Sequence, residues 1–238
     1  MQTDMTVGKP MKMLLNFTIP VFLGNVFQQL YSMADAVIVG KFVGTKGLAA
    51  VGATGTITFL IIGFLMGVTT GVTVLTSQKF GAGRMDEMRK TVGNAAILSA
   101  VIAVVMTAVS MLGMHRLLVF MHTPEDIFDG AYGYIMIICA GIFTQVLYNL
   151  VSSILRALGN SKTPLYFLIL AAGLNIVLDL VFIIFFHWGA PGAAWATVIS
   201  QGVSGVLCLI YMWKAVPELK MKKEDWYFRR NLAAKQIG

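Results

Sequence analysis

Long apolar runs alternate along the chain with short polar connections. Six runs, each of about 20 residues and dense in Leu, Ile, Val, Ala, Gly and Phe, predict helices near 13–39, 55–75, 92–114, 131–154, 165–186 and 193–212. None carries the strict two-residue alternation of a barrel strand, and within hydrocarbon only a helix or a closed barrel satisfies its own backbone. The pattern predicts an all-α polytopic membrane protein with six transmembrane helices. These form one lobe over residues 1–215, followed by a basic tail over 216–238.

Composition agrees with lipid as the solvent. Charged residues make up 12% of the chain, about half the usual share in soluble domains, and the mean hydropathy is +0.78. The net charge of +7 could suggest nucleic acid. Its Lys and Arg residues, however, stand beside the apolar runs and not on one amphipathic surface, so no nucleic-acid partner is expected. Counted on alternate sides of the runs, fifteen basic residues fall on the side of both termini and three (Lys41, Lys46, Arg116) on the other. That bias predicts cytoplasmic termini and a multi-pass protein of a bacterial-type inner, or plasma, membrane. Cys139 and Cys208 lie inside apolar runs, too few and too far apart for a zinc motif or a disulfide framework. The first run holds Asn16, Pro20, Asn25, Gln28, Gln29 and Asp35, which is unlike a cleavable signal, so it is expected to remain in the mature protein.

Of the eleven acidic residues, Asp35 and Asp179 alone lie within apolar runs, and no Lys or Arg lies deep in any of them. A carboxylate in a bilayer costs several kcal/mol, and without a basic partner its cheapest relief is to take up a proton or another cation. At 1.5 Å per residue, Asp179 stands about 22 Å beyond Pro164 and Asp35 about 33 Å beyond Met13, so both fall in the outer half of the bundle. Pro20 is expected to kink the first helix. Asn175 precedes Asp179 by four residues and Gln28 precedes Asp35 by seven, so each carboxylate has an amide on its own helical face.

Other patterns point elsewhere. Gly63, Gly67 and Gly71 form a small-xxx-small stripe that predicts close approach of a neighbouring helix. Gly202-Val203-Ser204-Gly205 resembles the nucleophile motif of rhomboid-type proteases. That chemistry needs a histidine base on a later helix, and His115, His122 and His187 all precede Ser204, so no enzyme is expected. Gly47-Leu48-Ala49-Ala50-Val51-Gly52-Ala53-Thr54 and Gly192-Ala193-Ala194-Trp195-Ala196-Thr197 form a faint repeat after the two acidic helices, of the kind found in secondary transporters.

Taken in order, several segments resemble the multidrug and toxic compound extrusion (MATE) transporters. They are Ile19-Pro20, the run Gln28-Gln29-Leu30-Tyr31-Ser32-Met33-Ala34-Asp35, Gly47-Leu48-Ala49-Ala50-Val51-Gly52, Gln78-Lys79-Phe80-Gly81-Ala82-Gly83, Arg156-Ala157-Leu158-Gly159-Asn160-Ser161-Lys162-Thr163-Pro164 and Asn175-Ile176-Val177-Leu178-Asp179. The resemblance implies an antiporter that exports small organic, often cationic, compounds while H⁺ or Na⁺ moves inward, with no cofactor beyond that coupling ion. It also implies a cation site of Asp35, Asp179, Asn175, Tyr134 and Thr197, with Tyr132 close to Tyr134 in sequence, and a bending role for Pro20. Gln28, Tyr31 and Asn149 are assigned to the substrate path. Family members have about twelve helices in two lobes. The expected partners are therefore membrane lipid and a second six-helix lobe or a second copy. The alternatives are a lipid or oligosaccharide flippase of a related family, or a non-transporting fragment or assembly partner.

Overall fold

The computed structural model describes residues 10–219 together with Asp225, Trp226, Leu232, Ala233 and Gln236. Every predicted run is helical, and most helices outrun their apolar stretch because polar residues at the ends continue the turns. Helix α1 spans Pro10–Phe42, α2 Thr45–Gly81 and α3 Met85–Phe120. At 33 to 37 residues these helices are about 50–55 Å long and exceed the hydrocarbon thickness. Helix α1 continues through Pro20 without a break.

The fourth run departs from the single helix expected. It forms α4 (Glu125–Ala140) and α5 (Ile142–Ala157), which meet at 46° around Gly141. Helix α7 presses on the chain there: a Cβ on Gly141 would stand 2.2 Å from Val198 Cγ2. Helix α6 (Lys162–Leu180) runs into a π-helical turn, Val181–Phe185, before α7 (Gly189–Ala215) and a 3₁₀ turn, Pro217–Leu219. Among the described residues, five helices are long and apolar enough to cross a membrane, and the bent α4–α5 pair meets the same length and composition when taken as one span.

Two of the connecting turns use one device. Gly83 (φ 70°) and Gly159 (φ 81°) adopt the left-handed conformation that ends a helix most cheaply at glycine. Arg84 N–H then reaches back to Lys79 O at 3.0 Å and Asn160 N–H to Leu155 O at 2.9 Å. Asn160 Oδ1 in turn accepts from Thr163 N–H at 3.1 Å and starts α6.

Close helix packing falls elsewhere than the glycine stripe predicts. A Cβ on Gly63 or Gly67 would meet nothing within 4 Å, and one on Gly71 only the backbone oxygen of Gln236 at 3.9 Å. Helix α2 buries the other face, through Ile57, Ile61, Leu65, Thr69 and Val72. The tight crossing is between α5 and α7, where a Cβ on Gly205 would stand 3.2 Å from Tyr148 N and one on Gly202 3.2 Å from Thr144 Cγ2. The Gly-Val-Ser-Gly segment is thus a packing element, and Ser204 Oγ donates to Phe167 O on α6 at 2.7 Å.

Helix α1 is the least buried, with Leu14, Phe22, Met33 and Val37 all largely exposed. Most of the predicted 216–238 tail lies outside the described residues. Gln236 is buried between α2 and α3. Its Oε1 accepts from Asn94 Nδ2 at 2.6 Å, and its Nε2 donates to Val72 O at 3.1 Å and Thr91 O at 3.0 Å.

Candidate functional site

The two carboxylates found within the apolar runs meet in the structure. Asp35 sits in the last quarter of α1 and Asp179 on the last turn of α6, and these helices pack side by side. Their carboxyl groups come within hydrogen-bonding reach of one another. Asp179 is fully buried, Asp35 is half-buried, and no Lys or Arg among the described residues pairs with either. Asp179 Oδ1 has no hydrogen-bond partner among the described residues.

Two neighbours hold Asp35. Asn175, with its amide nitrogen facing α1, donates to Asp35 Oδ1 at 2.9 Å, while its oxygen accepts from Thr197 N–H at 3.3 Å. Thr197 Oγ1 lies 3.4 Å from Asp35 Oδ2 and 3.0 Å from Ala193 O. Asn175 shares a helical face with Asp179, and its amide nitrogen bonds the aspartate of the facing helix. Packing of α6 on α1 brings the Asp35 carboxylate within hydrogen-bonding distance of its amide nitrogen.

Two tyrosines complete the cluster. Tyr134 on α4 is buried beside both aspartates. Its neighbour Tyr132 turns to an aromatic group, 6.2 Å from Phe128 and 5.7 Å from His115 between ring centroids. Tyr31, placed by sequence in the substrate path, is buried in this cluster next to Asp35 and Thr197. The signal was available, since Tyr31 precedes Asp35 by four residues and shares its face. Gln28 is half-buried two turns from Asp35, and its backbone carbonyl accepts from Ser32 Oγ at 3.1 Å. Asn149 is buried on α5, where its Nδ2 donates to Gln145 O at 2.8 Å. Neither joins the cluster.

Sequence reasoning gave no sign of the π-helical turn that follows Asp179. There Phe186 N–H reaches Val181 O at 3.2 Å and Phe182 stacks on Trp188 at 5.0 Å. Such turns are frequent at functional sites, because they insert one residue and re-aim the side chains beside them.

Comparison with known proteins places this geometry in context. The MatE family model matches residues 20–181. A probable multidrug resistance protein, YpnP, of Bacillus subtilis is 33% identical over 211 residues, covering 89% of this chain and 47% of the relative. A FAD transporter of Shewanella oneidensis is 27% identical, covering 84% of this chain and 46% of the relative. An outward-facing multidrug resistance MATE transporter of known structure superposes with a TM-score of 0.90 at 27% identity, covering 97% of this chain and 51% of the other. The chain spans about half the length of the curated relatives it matches.

Proposed function

We propose that this chain, which belongs to the MatE family, is one lobe of a cation-coupled antiporter that exports drugs or other toxic organic compounds across the plasma membrane. The observation that carries this reading is the meeting of Asp35 and Asp179 with no basic partner among the described residues. Two negative charges in a pocket of low dielectric repel each other strongly, and one cation between them, H⁺ or Na⁺, relieves the repulsion. Asn175 and Thr197 would hold the Asp35 oxygens in place for that cation, with Tyr134 and Tyr31 closing the pocket around it. Gln28 and Asn149 remain proposed wall residues of the substrate path.

A small organic and often cationic substrate would compete with the coupling ion for the same negative charge. Export then requires that the two ligands differ in their preference for inward-open and outward-open states. Because the relatives are about twice as long, the proposal includes a second six-helix lobe or a second copy. The exposed face of α1 and the unmet Gly63 and Gly67 of α2 support a partner of that kind.

The test joins this chain to a six-helix C-terminal lobe and measures drug efflux driven by an imposed H⁺ or Na⁺ gradient. Asp35→Asn and Asp179→Asn should each abolish coupled efflux, with the double variant scarcely worse than either. Near-normal efflux in both single variants would overturn the shared cation site.

A further inference from the structure

A cavity of about 960 Å³ lies between α1, α2 and the end of α5. It is at the end of the bundle where α1 begins and α7 ends, about 22 Å along α6 from Asp179. Phe17 and Val21 of α1 and Met66 of α2 give it apolar walls, and Arg156 of α5 gives it a cation. Arg156 is half-buried, and of its five N–H groups one reaches a protein acceptor among the described residues, Ser153 Oγ at 3.4 Å. No carboxylate among the described residues forms an ion pair with it. Glu218, on the same wall, is engaged elsewhere.

We propose that this cavity binds an amphipathic anion, with a phosphate or similar headgroup on Arg156 and its apolar body between α1 and α2. A guanidinium is weakly hydrated and its planar fork matches the oxygens of phosphate, so a half-buried arginine with no carboxylate paired to it among the described residues is well suited to a bidentate anion. The cavity volume is that of a site for a drug-sized ligand, and a wall that sets Phe17, Val21 and Met66 beside the Arg156 guanidinium selects for a molecule having both characters. The charge is opposite to that of the aspartate cluster, so the lobe carries two sites of opposite preference. This site does not depend on the antiport reading. The headgroup could belong to a phospholipid or to a free amphipathic phosphate.

Binding of radiolabelled dodecyl phosphate to the 238-residue chain in a non-ionic detergent tests the proposal. Arg156→Gln should weaken binding at least about tenfold, Arg156→Lys by less, and neither should alter binding of dodecyltrimethylammonium. Thr70→Trp, which fills the cavity from an exposed position on α2, should block dodecyl phosphate while leaving Arg156 intact. Asp179→Asn should leave this binding unchanged, which separates this site from the proposed cation site. Displacement of dodecyl phosphate by phosphatidylglycerol assigns the site to a lipid headgroup, and its persistence assigns it to a free amphipathic phosphate. Binding within twofold of the parent in Arg156→Gln or in Thr70→Trp overturns the proposal.

Discussion

The hydrogen bond from Asn175 to Asp35 ties α6 to α1 at the level of the two carboxyl groups, and at 2.9 Å it is a full-strength contact to a carboxylate oxygen. Hydrogen bonds to charged groups contribute about 1.5–3 kcal/mol, which corresponds to a factor of roughly 10 to 150. Asn175→Leu is therefore expected to lower gradient-driven efflux in the joined transporter at least about tenfold. Thr197→Val should cost only about two- to threefold, because its 3.4 Å contact is long and its hydroxyl also has Ala193 O. Equal losses in the two variants would show that the amide has no special hold on Asp35.

At the scale of elements, the bend at Gly141 and the glycine stripe of α2 make opposite predictions for the same change. A methyl group at Gly141 has to displace Val198, and overpacking of this kind costs about 1–3 kcal/mol. Gly141→Ala should lower the thermal midpoint in detergent by several degrees, and Val198→Ala in the same chain should restore most of the loss. Gly63→Ala and Gly67→Ala meet open space and should leave the midpoint of this chain nearly unchanged. A large drop in the stripe variants would mean that α2 has a close neighbour in solution. Gln236 sets a third element-level expectation, since its side chain bridges Asn94, Val72 O and Thr91 O. Gln236→Ala should speed hydrogen exchange in the adjoining turns of α2 and α3. Unchanged exchange there would show that the bridge contributes nothing to their stability.

For the whole molecule, six crossings and the bias of fifteen basic residues to three predict which end of the bundle faces the cytoplasm. Cys139 and Cys208 are both fully buried, so single cysteines can be introduced against a silent background. Lys46→Cys and Glu125→Cys should react with a membrane-impermeant reagent from outside the cell, and Arg84→Cys only after permeabilisation. External labelling at position 84 would invert the topology. It would also place the Arg156 cavity on the outer face.

Hydrocarbon penalises each charged or unbonded polar group wherever it stands along a helix, so length and hydropathy were enough to locate the six apolar runs, though not the break at Gly141, and to mark Asp35 and Asp179 as the residues that need a reason. The turn glycines Gly83 and Gly159 were visible in motifs whose order carried the family resemblance. What faces what was a different matter. A helix that is apolar all round carries no signal for its inward face, and lipid is as apolar as a protein core, so helix rotation is settled by shape and by interhelical hydrogen bonds. Only the tertiary structure could therefore turn Asn175 toward Asp35, place the tight crossings at Gly141 and Gly205 and not at Gly63, and leave Arg156 on a cavity wall with no carboxylate paired to it among the described residues. Each of these depends on contacts between segments far apart in sequence, which no local pattern encodes.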